Sequence, residues 1–446
     1  MTISEFRHND SDAIKKDYVQ STGTACSTTR TLSNSLRNTQ ATTSSLTIMT
    51  SLSNYFSYKH NVSWEERHGY VQVVSVGETA YFSGQFAHEG EKPVAEGDFT
   101  AQCDAAFVNL DKCLAEVGAT RHQVAHSEVL MVDLSKNMEV MTAKHKQYFG
   151  SHRPACTVWG VKELAQPHMM VEIKFTVRLD LPEGHKTIMN GMPWEEEFGY
   201  GQIVVCGSTV EVSGQFDHDD EGKPTGGNDF DAQCKQAFEN IDKRLAEIGA
   251  SRNQIVYTEV LVVNIRDNID KLNAAHKQFF DSHRPASTVW GVTELGQPHM
   301  LVEIKFTVRL DLPATPTTFS HDLPWEDAHN YSQVVVAGET AWISGQFGHD
   351  AEGNPIGEGD FEKQCEAAFA NLDKCLAAIG ATRSQIVHAG SMAVDIPANG
   401  DKLSAAHKKY FGGCPPVSTV WGVTGLGLPF MMVEISVIVR LDAPKV

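Results

Sequence analysis

No stretch of this sequence is apolar for long enough to cross a membrane as a helix. Basic residues are in short supply: 37 Lys and Arg stand against 56 Asp and Glu, a net charge of −19. So acidic a surface repels phosphate backbones, and nucleic acid is not an expected partner. Cysteine is scarce and odd in number, nine, with no Cys-x-x-Cys pair. That argues against a disulfide framework and for a reducing, cytoplasmic location. The N-terminal residues show no charged-then-apolar signal pattern, and Glu5, Asp10, Asp12 and Asp17 oppose the acid-poor composition of a mitochondrial transit segment. Mitochondrial targeting is the lesser alternative. Residues 1–60 read as a Ser/Thr-rich disordered tail, since 18–54 lack hydrophobic periodicity.

What the chain does have is one pattern written three times. Ser-Gly-Gln-Phe occurs at Ser83–Phe86, Ser213–Phe216 and Ser344–Phe347, and Thr-Val-Trp-Gly-Val at Thr157–Val161, Thr288–Val292 and Thr419–Val423. A step of about 130 residues is a whole small domain rather than a solenoid unit. The copies span 61–181, 192–312 and 323–443. Three like domains on one chain suggest a covalent form of a three-fold ring, in which sites between subunits become sites between copies.

Within the first copy, Gln72–Val76 and Thr79–Ser83 read as strands. Asp98 caps a helix with Phe99, Cys103, Ala106, Phe107, Leu110 and Leu114 on one stripe, ended at Gly118. Val124–Val132 is a strand, Val140–Phe149 a second helix, and Thr157–Val161 and Met169–Leu179 the closing strands. The order is ββαβαββ, an α+β sheet with helices on one face. Val171, Ile173, Phe175 and Val177 alternate with Glu172, Lys174, Thr176 and Arg178, so one face of the last strand is polar. The third strand is apolar on both faces (Val129–Val132, Val260–Val263), which predicts that the other copies cover its second face.

These residues resemble the Rid (reactive intermediate deaminase, YjgF-like) family. The resemblance runs through a tyrosine fifteen residues before the Gln of the first motif (Tyr70, Tyr200, Tyr331), Asn109–Leu110, Gly118–Ala119 and the final Val-Glu-Ile. It implies chorismate-mutase-like domains joined as a single-chain pseudo-trimer, with clefts between copies and no cofactor. It also implies hydrolysis of enamines and imines, with Glu172, Glu303 and Glu434 as the acid–base carboxyls and the tyrosines walling the substrate. The family arginine that grips the substrate carboxylate is missing. Cys156, Ser287 and Ser418 occupy its position, and neither residue type reproduces a bidentate guanidinium. An altered substrate follows, with non-catalytic small-molecule binding on the same fold as the alternative.

Arg153 and Arg284, three residues earlier, are the candidate replacements for the missing charge, against a solvated loop cation. An ion pair with Lys174 is the competing role for Glu172. His88 and His145 recur in every copy without an expected metal role, since zinc needs three or four converging ligands. The third copy has dropped a set of polar residues: Glu128 and Glu259 become Gly390, His152 and His283 become Cys414, and Arg153 and Arg284 become Pro415. Likewise Gln166 and Gln297 become Leu428, and Lys174 and Lys305 become Ser436. This pattern predicts polar sites completed by copies one and two, with at least one degenerate cleft.

Overall fold

The computed structural model describes residues 55–313 and 316–446; the expected disorder of residues 18–54 lies outside them. Each copy has the ββαβαββ order. In the first, strands Val73–Val76 and Thr79–Phe82 precede helix Phe99–Glu116, strand Val124–Met131, helix Leu134–Phe149 and strands Ala155–Gly160 and Val171–Arg178. The last strand lies in the middle of the sheet, between Thr79–Phe82 and Val124–Met131. Val124–Met131 and Ala155–Gly160 are parallel, joined through the second helix, and the other pairs are antiparallel.

The first helix forms where its stripe demands. The Asp98 carboxylate accepts from Ala101 N at 3.0 Å, and Phe99, Cys103, Ala106, Phe107, Leu110 and Leu114 are buried. They pack on Val171, Ile173, Phe175 and Val177 of the last strand. The second helix is longer than its periodicity indicates, starting at Leu134 rather than Val140. Asp133 takes a left-handed conformation (φ 52°) that turns the chain straight from strand into helix. The polar run Ser135–Asn137 hides that turn from a periodicity reading.

Besides a small hairpin, His88–Glu89 with Lys92–Pro93, and short 3-10 turns such as Arg121–Gln123, two larger elements were not foreseen. A six-residue helix, Ser63–His68, precedes Tyr70, with counterparts Pro193–Phe198 and Pro324–His329. Tyr55–Tyr58 is a strand paired with Val73–Val76, so ordered structure begins before residue 60.

The three copies close into a ring. All eight residues of Val124–Met131 are buried: Val129 and Met131 face the helices, while Leu130 enters a second core drawn from all three copies. Trp159, Trp290 and Trp421 meet at its centre, with ring centroids 5.5 to 6.2 Å apart. This shared core covers the second apolar face. The closing seam matches the other two: Val71 bridges Val417 as Ala155 bridges Gly201 and Ala286 bridges Ser332. Among the described residues no helix is long and apolar enough to cross a membrane.

Candidate functional site

The two repeated motifs clasp one another across each seam. Ser83 Oγ accepts from Ser418 N at 2.9 Å, and Thr419 Oγ1 accepts from Gly84 N at 3.0 Å. Ser213 with Cys156, and Ser344 with Ser287, repeat the first bond at 2.8 Å. Thr157 with Gly214, and Thr288 with Gly345, repeat the second. The motif residues are thus the hardware of ring closure, and each cleft takes its walls from two copies.

The glycine of Ser-Gly-Gln has a specific task. A Cβ on Gly84 would stand 1.8 Å from Glu172 Oε1, and Gly214 and Gly345 relate to Glu303 and Glu434 in the same way. Only a bare backbone lets the carboxyl lie there. All three glutamates are about 5% exposed, and in each Oε2 has no hydrogen-bond partner among the described residues. Burial disfavours the charged form and pushes each carboxyl up to about 8. The competing ion pair for Glu172 is not made: Lys174 Nζ sits 3.2 Å from Glu128 Oε1.

Each seam places such a glutamate with a tyrosine from its own copy and a residue at the missing-arginine position from the copy before. Glu303, Tyr200 and Cys156 line the cleft between copies one and two; Glu434, Tyr331 and Ser287 that between two and three. Glu172, Tyr70 and Ser418 line the cleft between three and one. Burial pushes the Tyr70 hydroxyl and the Cys156 thiol upward, so neither ionises near neutral pH.

His145, His276 and His407 also line these clefts, a role their recurrence in every copy signalled without assigning. Nδ1 of each lies 2.8–2.9 Å from a backbone carbonyl of the next copy: Phe198, His329 or His68. A carbonyl only accepts, so Nδ1 carries the proton and Nε2 the lone pair. Burial lowers each imidazole to about 4. His88 instead meets the Gly90 carbonyl beside Trp64 and Phe86. Among the described residues no group of three His, Cys, Asp or Glu is placed to hold a metal.

The arginines sit elsewhere. Arg153 pairs with Glu196 and Arg284 with Asp327, each across a seam to the short helix of the next copy. These acids lie 43 residues along the chain, too far for local reading, and the pairs occupy the guanidiniums outside the cleft linings.

The residues lost from copy three are scattered: besides the seam arginines, His152 and His283 meet the Val124 and Ile255 carbonyls of their own copies. Glu128, Lys174, Glu259 and Lys305 face a separate cavity of about 410 Å³ on the ring axis, where Lys305 bridges Glu128 at 2.8 Å and Glu259 at 2.6 Å. Their loss at Gly390 and Ser436 changes that cavity, not a cleft. Leu428 in place of Gln166 and Gln297 does line a cleft, the one holding Glu434.

The clefts are unequal. Those holding Glu303 and Glu434 enclose about 60 Å³ each, room for a few waters, whereas the one holding Glu172 encloses about 820 Å³. The open one lies where the second helix of copy three meets copy one, whereas the other cleft to which copy three contributes, the one holding Glu434, is narrow.

Comparison with known proteins follows the same repeat. The family model described as Endoribonuclease L-PSP matches residues 61–179, 195–310 and 324–441. The RutC family protein YjgH of Escherichia coli is 36% identical over 115 residues, 25% of this chain and 84% of that protein. An uncharacterized Streptomyces coelicolor protein is 31% identical over 28% of this chain and 90% of its own. The human 2-iminobutanoate/2-iminopropanoate deaminase is 30% identical over 22% of this chain and 69% of its own. A solved Mycobacterium tuberculosis member of the YjgF/YER057c/UK114 family aligns at 25% identity over 28% of this chain and 99% of its own, with a TM-score of 0.26. With its model matched three times over, the chain belongs to the Endoribonuclease L-PSP family, the Rid/YjgF family, in three tandem copies.

Proposed function

We propose that the chain hydrolyses reactive imines or enamines to a carbonyl compound and ammonia, on a substrate altered by the absence of the gripping arginine. The carrying observation is the buried carboxyl whose Oε2 has no hydrogen-bond partner among the described residues, held against the motif glycine in a cleft. A carboxyl that stays protonated to about pH 8 can give its proton to an imine nitrogen and then, as carboxylate, take one from the attacking water. The carbinolamine so formed collapses to the carbonyl compound and ammonia. Tyr70 and the Gly84 backbone wall the planar substrate, with Cys156, Ser287 and Ser418 where the arginine would be. The net charge of −19 favours a small-molecule substrate over a polyanion.

The test uses the full chain and imines released in situ by an amino acid oxidase, with ammonia or ketoacid formation followed against the spontaneous rate. Acceleration by the wild type that falls at least 100-fold in Glu172→Ala is expected. A folded wild type that accelerates none of a range of imines removes the enzymatic reading and leaves a binding protein.

A further inference from the structure

Two changes in the third copy meet in one cleft. The first is of size. On the second helix, Met138 of copy one projects into the narrow cleft beside Glu303; the same position is Ile269 in copy two and Gly400 in copy three. Gly400 lines the 820 Å³ cleft, and a Cβ placed on it would meet only Ile396 Cγ2, at 3.4 Å. A glycine inside a helix costs about 1 kcal/mol relative to alanine, so the opening is held at the expense of the helix.

The second change is of pairing. In copy one, Ser127 bonds the histidine: Oγ lies 3.2 Å from His145 Nε2. In copy two, Thr258 donates to Ser287 Oγ at 2.9 Å and His276 Nε2 has no partner among the described residues. Copy three has Ala389 there, with no hydroxyl to capture either group. Ser418 Oγ then stands 3.1 Å from His407 Nε2. Because His407 Nδ1 donates to the His68 carbonyl at 2.8 Å, Nε2 is the acceptor and the serine hydroxyl the donor. Ser418 is half-buried, open to the cleft.

We propose that the open cleft is also an acyl-transfer site, with Ser418 Oγ as nucleophile, His407 Nε2 as its base and esters of bulky apolar acids as substrates. A hydroxyl within hydrogen-bond reach of an oriented imidazole is the working pair of nucleophilic hydrolysis. Trp64, Phe86, Leu164 and Met169 offer an apolar wall for the acyl chain. Glu172, protonated at neutral pH and lining the same cleft, can donate to the developing oxyanion. Ser418 Oγ bonds the acyl carbon while its proton passes to His407 Nε2. The C–O bond of the ester breaks and that proton leaves on the alcohol. Water, deprotonated by His407, then cleaves the acyl-serine to the free acid and restores Ser418. With an activated leaving group the first half outruns the second, in which the same imidazole must activate water, and acyl-enzyme accumulates.

The intact chain is mixed with 4-nitrophenyl hexanoate. The expected result is a burst approaching one nitrophenolate per chain, followed by slow turnover, with a hexanoyl adduct on the peptide containing Ser418 by mass spectrometry. Ser418→Ala is expected to abolish burst and adduct, His407→Gln to slow acylation at least 100-fold, and Gly400→Met, which refills the cleft without touching the pair, to lower acylation at least tenfold. Circular dichroism confirms that each variant is folded. No burst from folded wild type, an adduct on another residue, or a burst that survives Ser418→Ala overturns the proposal. Imine hydrolysis is scored separately on the wild type with imine substrates, so either reading can fail alone.

Discussion

Replacing Glu172 by Gln tests the buried carboxyl through stability rather than turnover. In the folded chain Glu172 ionises at about 8, against 4.5 for a solvated carboxyl, with burial as the main cause. The unfolded chain therefore releases its proton first as pH rises. Stability is full below about 4.5 and is lost steadily until the folded group also ionises near 8. At about 1.4 kcal/mol per pH unit, that interval costs on the order of 5 kcal/mol for this one residue. Gln keeps the shape and a donor but carries no charge to lose, so Glu172→Gln matches wild type at pH 4.5 and gains stability above it. The assay is urea unfolding of both proteins at half-unit steps from pH 4.5 to 9. A stability difference that grows with pH and levels off near 8 is expected, and a difference independent of pH refutes the reasoning. Glu303 and Glu434 remain in both proteins, so their contributions cancel.

Three further outcomes follow. Imine hydrolysis through Glu172 should fall as pH is raised through about 8, where the acid form disappears, and a profile flat to pH 10 contradicts the assignment. Trp421→Ala removes one third of the axial aromatic cluster, about 1% exposed, and should cost about 3–5 kcal/mol in denaturant unfolding. A cost below 1 kcal/mol means that the shared core does not hold the ring. Lys305→Met leaves buried Glu259 without its cation, Glu128 keeping Lys174, and should destabilise by about 3–5 kcal/mol at pH 7, whereas Arg284→Ala, an exposed seam pair, should cost under about 1 kcal/mol. Equal effects of the two refute the burial argument.

Much of one copy was legible because its elements are long and regular. The stripe from Phe99 to Leu114 and the alternation from Val171 to Val177 carry their own periods, and both faces of the sheet could be assigned. The apolar second face of Val129–Val132 signalled the seam, since an uncovered face would be polar. Ser63–His68 was not legible: six residues show no helical period, and its Trp64 reaches the cleft only through the fold. Arg153 and Arg284 were candidates by proximity to a motif, weighed against solvated loop cations, and distant acids on the next copy decide where they point. Gly400 and Ala389 stand in plain view as differences among copies. That they converge on one cleft depends on which helix face meets which seam, and periodicity within a single copy does not contain that.

Closure of the ring requires the third copy to return to the first. Val71 and Val417 are bridge partners across that seam and both are buried. With cysteine at both positions, mild oxidation of the folded chain should join them within a single molecule, seen as a linked 71–417 peptide in the monomer fraction. A link that forms only between molecules, or none at all, contradicts the closed ring and the clefts that depend on it.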